Sequence, residues 1–370
     1  MHFVIVSFYA VHNIGDRILT ECVSKLLSKK GISSQIIDIQ GRCAFSDTDT
    51  VEDRMIKREI SARNASHQGF IHYLDKVLYD CSLVLFAGGA ILDVVQEPIA
   101  KNIFLICNKA NNLGIPVAFN AVGFYGSMEK SDRATYLRNA LMLPNVKWIS
   151  VRERASDMEL LLGSRKEFTH CCDTAVWAAD LFQVTNSDIT NKSIGINVVS
   201  PEYYVGKSRF SVKAFYIDLF LHLVSSGFSC SFFTNGAPRD YEFAQELIQE
   251  LNQPEGSLLG FNSFDSHAFL VLLSQYSLII SSRLHTSICS YSLRIPSLCM
   301  AWDNKMTEFY EQIGKPGWLI GQKDVSSITQ KVRKTVNEKE EGVQKFILYR
   351  NTVLNSIDSI CVIGQSGQLN

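Results

Sequence analysis

Two side chains that suit anion binding and proton transfer stand two positions apart, directly after a strongly apolar run. The run Leu278-Ile-Ile-Ser-Ser predicts a buried strand that ends in polar residues, and Arg283 and His285 follow it at the start of a predicted helix. Arginine carries a permanently charged, forked donor for carboxylate or phosphate, and histidine exchanges a proton near neutral pH. Since open parallel sheets bind ligands at the carboxyl ends of their strands, this pair is the sharpest candidate for catalysis.

A second candidate segment, Asn13-Ile-Gly-Asp, follows the first predicted strand and precedes a helix. Gly15 permits a tight turn, and Asp16 has the side chain of a helix cap. The segment is either a capped turn or a helix N-terminus that meets a bound anion or sugar through Asn13 and Gly15. The carboxylate of Asp16 would oppose an anion, which favours capping or a contact with a hydroxyl group.

Paired glycines, Gly88 and Gly89, follow the strand Leu83-Val-Leu-Phe86. They permit either close approach of the backbone to a ligand or close packing of neighbouring strands. The segment is not a G-x-G-x-x-G motif, and no acidic residue is placed to bind a ribose. It therefore does not predict dinucleotide binding.

Three further polar residues follow predicted strands, and each has two interpretations. Arg152 either faces a ligand or forms a surface salt bridge, and the loop of Asn235 either contacts an acceptor substrate or forms a turn. Lys305 either adds positive charge to the site or begins a solvated helix. We list all three as candidate binding residues.

The elements that must position these residues alternate from end to end, which is typical of parallel sheets covered by helices. We predict strands near 2–8, 34–39, 82–87, 115–121, 147–151, 193–199, 229–234, 257–260, 277–281 and 296–300. We predict helices near 16–30, 67–80, 97–112, 130–142, 154–162, 212–226, 239–252, 265–274, 284–293 and 304–313. The polar stretch 41–66 is a solvated loop or an exposed helix.

The alternation breaks at 183–193, a stretch rich in turn formers, and then restarts. We therefore predict an N-terminal domain over 1–183, a C-terminal domain over 193–322, and a helical tail over 323–370 that packs back on the N-terminal half. With 370 residues, two domains fit the usual size of about 100 to 200 residues. Two such halves would face a central cleft.

Composition excludes several classes of protein. The 36 basic and 37 acidic residues show no excess charge for nucleic acid. Ten cysteines lack metal-binding spacing, and we interpret them as reduced thiols of a cytoplasmic protein. No apolar stretch is long enough to span a membrane, and the N-terminus does not resemble a secretory signal. Neither H-E-x-x-H nor a carboxylate pair marks a metal site, so we expect none.

Several motifs, in their order along the chain, resemble the polysaccharide pyruvyl transferase family. Each is modest alone, and the matches span most of the chain. They are Asn13-x-Gly-Asp, Phe86-Ala-Gly-Gly-Ala-Ile-Leu, Val151-Arg-Glu-Arg-Ala-Ser, Asp173-Thr-Ala, Ser282-Arg-Leu-His-Thr-Ser-Ile, Leu293-Arg-Ile-Pro-Ser and Trp302-Asp-Asn-Lys. One departure is Ala87, where relatives often have a third glycine.

The resemblance implies two Rossmann-like α/β domains similar to a GT-B glycosyltransferase, with the acceptor on the N-terminal side and the donor on the C-terminal side. It implies phosphoenolpyruvate as donor, no cofactor, and a sugar or lipid-linked oligosaccharide of a capsule, exopolysaccharide or O-antigen as acceptor. Arg283 and His285 match the family's donor-site Arg-x-His. A lipid-linked acceptor would require transient contact with a membrane.

Two other functions fit the same residues. A GT-B-like glycosyltransferase would use the cationic side chains to bind the diphosphate of a nucleotide sugar. A non-catalytic subunit of a polysaccharide assembly complex would retain the fold without the chemistry. Nucleotide binding distinguishes the first from a pyruvyl transferase, and an Arg283 and His285 double variant that keeps polysaccharide pyruvylation would favour the second.

Overall fold

The computed structural model of the chain describes residues 1–11, 13–128, 131–186, 192–252, 258–259, 264–320, 325–337 and 343–366. The chain divides into two compact units. The first comprises Met1–Val11, Asp16–Thr174 and Tyr349–Asn370, and the second comprises His12–Gly15 and Ala175–Leu348. A short N-terminal segment thus belongs with the C-terminal half of the chain.

The first unit is built on a parallel sheet that has six strands among the described residues. They are β1 (His2–Ser7), β2 (Ser33–Asp38), β3 (Leu83–Asp93), β4 (Val117–Tyr125), β5 (Val146–Val151) and β6 (Thr169–His170), in the order β2-β1-β3-β4-β5-β6. The helices are α1 (Ile14–Lys29), α2 (Val51–Asn64), α3 (His67–Val77), α4 (Glu97–Asn112), α5 (Ala134–Leu141) and α6 (Ala155–Leu162).

Strands β1 and β3 are buried along almost their whole length, as expected for parallel strands covered by helices on both faces. Their side chains belong to a core that also takes in α3, α4 and α5. Within it, the rings of Phe86 and Phe119 stack with their centroids 4.4 Å apart. The sheet thereby holds the ends of β3, β4 and β5 in fixed positions.

The second unit repeats this architecture among the described residues. Its parallel strands are β7 (Ser193–Asn197), β8 (Ser229–Phe233), β9 (Leu258–Leu259), β10 (Leu278–Ser281), β11 (Ser297–Met300) and β12 (Leu319–Ile320), in the order β12-β11-β10-β7-β8-β9. The helices are α7 (Ala178–Phe182), α8 (Arg209–Ser225), α9 (Pro238–Glu250), α10 (Ser266–Leu273), α11 (Leu284–Ser292), α12 (Asn304–Gln312) and α13 (Val325–Asn337). A further helix, α14 (Val343–Ser366), begins in this unit and belongs to the first unit over most of its length.

The predicted α/β class with two parallel sheets is confirmed. Every predicted strand and helix is present, and within the stretch 41–66 the segment 51–64 is an exposed helix, α2. The two-residue strands β6 and β12 were not predicted because they are too short to show a periodic pattern. Residues 187–191, within the predicted break, lie outside the described residues.

The C-terminal tail is helical, as α13 and α14 show. Helix α13 packs against α8 in the second unit, and α14 belongs to the first unit from Tyr349 onward. The domain limits inferred from the sequence stay a prediction, because compactness alone does not show which segments fold or bind independently.

Candidate functional site

Arg283 lies between the end of β10 and the first residue of α11, in the second unit. The hydroxyl of Ser281 donates to the carbonyl oxygen of Arg283 at 2.8 Å, which fixes the turn out of the strand. The Arg283 Nε and Nη2 atoms donate to a single oxygen of Asp240, Oδ2, at 3.1 and 2.5 Å. Burial alone would lower the pKa of Arg283, but the Asp240 carboxylate raises it above its usual value. The guanidinium is therefore a fixed positive charge.

Asp240 lies in the first turn of α9 and is fully buried. Its second oxygen, Oδ1, accepts a hydrogen bond from the Ser200 amide at 2.8 Å. The carboxylate thus joins the loop after β7, the start of α9 and the end of β10. The sequence analysis placed Asp240 at the start of the helix predicted near 239–252 and gave it no role of its own, since a partner 43 positions from Arg283 leaves no local signal.

A row of aromatic rings connects the two predicted cations Arg283 and Lys305. The Arg283 guanidinium lies 4.3 Å from the centroid of the Tyr203 ring, and the Tyr203 and Trp302 centroids lie 5.0 Å apart. The ammonium of Lys305 lies 5.3 Å from the Trp302 ring and 3.0 Å from the carboxylate of Asp303. Aromatic faces stabilise both cations, and Tyr203 was missed by the sequence analysis.

His285 occupies the first turn of α11 and is buried. The start of α1 lies against it: a Cβ atom added to Gly15 would lie 2.4 Å from the Cβ and Nδ1 atoms of His285. In the same segment the Ile14 amide donates to the Asn235 carbonyl oxygen at 3.1 Å, and the Gly15 amide donates to Asn13 Oδ1 at 3.2 Å. The fold therefore brings Asn13, Gly15, Asn235 and His285 together.

One prediction about this segment is wrong. Helix α1 begins at Ile14, two positions before the predicted start, so Asp16 lies in its first turn and not at the N-cap position. Asn13 precedes the helix, and its Oδ1 accepts the Gly15 amide proton, which is the interaction typical of a capping residue. The sequence showed Asn13 as well as Asp16 near the start of this helix, and asparagine is also a favoured capping residue.

The side chain of Asn235, at the end of β8, accepts two hydrogen bonds at Oδ1. The donors are Asn197 Nδ2 at 3.0 Å and the hydroxyl of Thr286 at 2.8 Å. Asn197 Oδ1 in turn accepts from the Ser282 amide at 3.3 Å. These bonds join the carboxyl ends of β7, β8 and β10 in one buried polar network.

Gly88 and Gly89 lie within β3 of the first unit, not after the strand as predicted. Their φ angles are +59° and +70°, a left-handed conformation that favours glycine. A Cβ on Gly89 would lie 3.2 Å from a carboxylate oxygen of Asp16, and one on Gly88 would lie 3.3 Å from the Ala121 carbonyl oxygen. Ala121 is itself left-handed, with φ of 50°. A strained, buried alanine beside two such glycines is typical of a ligand site, and sequence analysis missed it.

Arg152 follows β5 in the first unit and is buried, not on the surface. Its Nε donates to Glu153 Oε2 at 2.5 Å, and its Nη1 pairs with Asp173. Burial alone would lower the pKa of Arg152, and the two carboxylates raise it. The surface salt bridge considered above is therefore replaced by a buried ion-pair cluster, and contact between Arg152 and a ligand stays a prediction.

Two features are absent from the described part of the chain. It holds no group of three or more histidine, cysteine, aspartate or glutamate side chains able to bind a metal ion. None of its helices is both long and apolar enough to cross a bilayer.

Solved structures resemble the whole chain at low sequence identity. The UDP-GlcNAc 2-epimerase of Methanocaldococcus jannaschii is 14% identical, with a TM-score of 0.63 over 98% of this chain and 100% of that one. The UDP-N-acetylglucosamine 2-epimerase of Rickettsia bellii is 15% identical, with a TM-score of 0.58 over 99% and 96%. The spinosyn rhamnosyltransferase SpnG is 12% identical, with a TM-score of 0.51 over 100% of both chains. These likenesses show the GT-B type of fold.

Sequence comparison is more specific. No curated protein matches the chain at a significant level. The family model described as polysaccharide pyruvyl transferase matches residues 13–304, from Asn13 of the α1 segment to the residue before Lys305. Since this match covers well over half of the 370 residues, the chain belongs to the polysaccharide pyruvyl transferase family.

Proposed function

We propose that the protein transfers a pyruvyl group from phosphoenolpyruvate to a sugar of a surface-polysaccharide precursor and forms a ketal. One observation carries the proposal: Arg283 and His285 stand together at the carboxyl end of β10, inside the stretch that matches the family. Asp240 and Tyr203 hold the guanidinium in place. A fixed cation beside a proton donor suits a donor that carries both carboxylate and phosphate.

In the proposed mechanism, Arg283 and Lys305 offset the negative charge of the donor, and His285 protonates its methylene carbon. The central carbon then becomes electrophilic, and a sugar hydroxyl adds to it. The bond to phosphate breaks as a neighbouring hydroxyl closes the ring. Of the two hydroxyl protons, one balances the proton gained by the new methyl group and the other leaves with phosphate.

We assign Asn13, Gly15 and Asn235 to the same donor site, because they lie against His285 and the start of α11. We assign Asp16, Gly88, Gly89 and Arg152 of the first unit to the acceptor. The acceptor is a sugar or lipid-linked oligosaccharide of a capsule, exopolysaccharide or O-antigen, and the reaction takes place in the cytoplasm without a cofactor.

The first experiment measures the shift in thermal midpoint that phosphoenolpyruvate produces. Ligand at about 100 times its dissociation constant stabilises a protein by about 2.7 kcal/mol. We expect a shift of several degrees that Arg283→Ala abolishes and Arg239→Ala retains. Arg239 is the matched control, since it is 77% exposed and lies next to Asp240. Arg283→Ala leaves Asp240 without its ion-pair partner and should lower the midpoint even without ligand. We therefore compare the shift that the ligand produces in each variant, which reports binding, and not the midpoints themselves.

The decisive readout is transfer of labelled pyruvyl groups from phosphoenolpyruvate to extracted polysaccharide precursors. Incorporation by the wild-type protein that requires Arg283 supports the proposal. Stability raised by nucleotides or nucleotide sugars, with no shift from phosphoenolpyruvate, would overturn it.

The second candidate is a glycosyltransferase that uses a nucleotide sugar. It is favoured by the fold alone, since the structures that resemble the chain include a rhamnosyltransferase and UDP-GlcNAc epimerases. The family match favours the pyruvyl transferase over this candidate, because it spans residues 13–304 and so includes Asn13, Arg283 and His285.

A further inference from the structure

The side-chain amide of Asn235 has a nitrogen whose hydrogen-bonding capacity is unused. Asn235 is 1% exposed, and its Nδ2 has no hydrogen-bond partner among the described residues. Nearly all buried polar groups in folded proteins are paired, so an exception indicates a missing partner. The nitrogen has two N–H groups to donate.

The orientation of this amide is fixed. Its oxygen, Oδ1, accepts from both Asn197 Nδ2 and the Thr286 hydroxyl, at 3.0 and 2.8 Å. A rotation that exchanged oxygen and nitrogen would set the Asn235 nitrogen against the Asn197 nitrogen. The amide therefore presents its nitrogen in one direction, whether or not a ligand is bound.

The surroundings of Asn235 favour an anion. Thr286, its hydrogen-bond partner, lies in the first turn of α11, a helix of nine residues. Arg283, at the N-terminal cap of that helix, makes no side-chain capping bond. Helix N-termini attract anions through their amide protons and dipole, and Arg283 adds a full positive charge.

We propose that Asn235 Nδ2 donates a hydrogen bond to the phosphate group of the donor, at the N-terminus of α11. This inference rests on the proposed function and names the atom that recognises the phosphate. The Nε and Nη2 edge of Arg283 is already occupied by Asp240, so it is not available for a paired contact with a carboxylate. A tetrahedral phosphate accepts separate donors from several directions, as an amide, a helix end and a guanidinium provide.

The donor that Asn235 supplies is neutral and prearranged. A hydrogen bond to a phosphate oxygen strengthens as negative charge grows on the leaving group. Asn235 therefore acts as a binding residue in the ground state and stabilises the departing phosphate in the transition state.

The test replaces the nitrogen and leaves the rest of the network intact. Asn235→Asp has nearly the same shape and retains an oxygen to accept from Asn197 and Thr286, but it places a second oxygen where Nδ2 stood. Gln275→Glu is the matched control, because it adds the same charge at an exposed residue before β10, at the opposite end of that strand. Asn235→Ala removes the donor without adding charge.

Binding is measured by calorimetry at pH 8 with three probes: inorganic phosphate, phosphoenolpyruvate and pyruvate. A hydrogen bond to a charged group contributes about ten- to a hundredfold in affinity. We therefore expect Asn235→Asp to bind phosphate and phosphoenolpyruvate at least about tenfold more weakly than the wild type. The affinity of Asn235→Asp for pyruvate, which has no phosphate, should fall less. Gln275→Glu should bind all three probes with wild-type affinity. Asn235→Ala should also lose affinity for phosphate and phosphoenolpyruvate, but by a smaller factor than Asn235→Asp.

Two results would overturn the inference. One is unchanged phosphate affinity in both Asn235 variants, which would show that Asn235 Nδ2 donates its hydrogen bonds to water and not to phosphate. The other is a larger loss for pyruvate than for phosphate, which would place the carboxylate there. If wild-type protein transfers pyruvyl groups while either result is found, only this inference fails. If phosphate binding depends on Asn235 but no pyruvyl transfer occurs, the inference stands and the proposed function fails.

Discussion

Arg283 and Asp240 form a partly buried ion pair in which two guanidinium nitrogens donate to one carboxylate oxygen, at 3.1 and 2.5 Å. Asp240 is fully buried and the Arg283 side chain is 15% exposed. Asp240 Oδ1 accepts a hydrogen bond from the Ser200 amide, which fixes the carboxylate. The carboxylate in turn fixes the position of the guanidinium. Asp240 is therefore a positioning residue for the proposed donor site.

Replacement of Asp240 by asparagine should destabilise the protein and weaken donor binding together. Breaking a buried ion pair from one side costs about 3 to 5 kcal/mol, because the other charge stays buried and unpaired. The Asp240→Asn and Arg283→Met double variant should be more stable than Asp240→Asn alone, since it removes both charges. Denaturant unfolding measures the stabilities and calorimetry measures donor affinity. An Asp240→Asn variant with wild-type stability and affinity would contradict this role.

Replacement of His285 by alanine should lower kcat and leave KM for phosphoenolpyruvate nearly unchanged. A positioned acid or base typically contributes ~10² to 10⁴-fold, and we expect a loss of that size. His222→Ala is the matched control, since His222 lies in the last turn of α8 and is exposed. Turnover of His285→Ala within a few-fold of the wild type would exclude general acid catalysis by this residue.

Gly15→Ala should displace His285. The added methyl carbon would lie 2.4 Å from the Cβ and Nδ1 atoms of that residue, far inside van der Waals contact. Overpacking of this kind costs about 1 to 3 kcal/mol and should lower kcat as the imidazole moves. Gly317→Ala is the control, because no atom lies within 4 Å of its added carbon. Equal activity and stability of the two variants would show that the site accommodates the methyl group without moving His285.

The attachment of α14 to the first unit depends on Ser356. Its hydroxyl donates to Asn120 Oδ1 at 2.7 Å and accepts from Trp148 Nε1 at 3.2 Å. Because Ser356→Ala removes the partner of the buried Asn120 Oδ1 and of the partly buried Trp148 Nε1, we expect a loss of about 1 to 3 kcal/mol in denaturant unfolding. Ser359→Ala, a half-buried position on the same helix whose hydroxyl donates to the Asn355 carbonyl oxygen, should change stability by less than about 0.5 kcal/mol. Equal stability of the two variants would contradict a structural role for Ser356.

Several thiols should react slowly in the native protein. Burial raises the pKa of Cys81 and Cys171 to about 11 and that of Cys230 and Cys299 to about 12. The thiolate is the reactive form, and its fraction at pH 8 falls about a hundredfold for each rise of two units in pKa. Mass spectrometry after alkylation at pH 8 should find these four sites labelled far more slowly in native than in denatured protein. Rapid native labelling of any of them would show that its burial is transient.

Local pattern was enough to predict most elements and the central pair of the candidate site. The run from Leu278 to Ser282 predicted β10, and the spacing of Arg283 and His285 placed both at the start of α11. Hydrophobic periodicity and turn residues act over a few positions, so they survive in the sequence as a readable signal. The same locality explains the error at α1, where two neighbouring side chains, Asn13 and Asp16, competed for one cap.

Only the tertiary structure decided which groups meet these residues. Asp240 reaches Arg283 from the first turn of α9, and Tyr203 reaches it from the segment after β7. The Asn13 to Gly15 segment joins the second unit beside His285, and Asn235 binds Asn197 and Thr286. The order of strands set these contacts: β7 lies between β10 and β8 although β10 follows both in the chain. Parallel strands are joined by long crossovers, so residues far apart in sequence arrive at the same edge of the sheet, and no short-range pattern encodes their pairing.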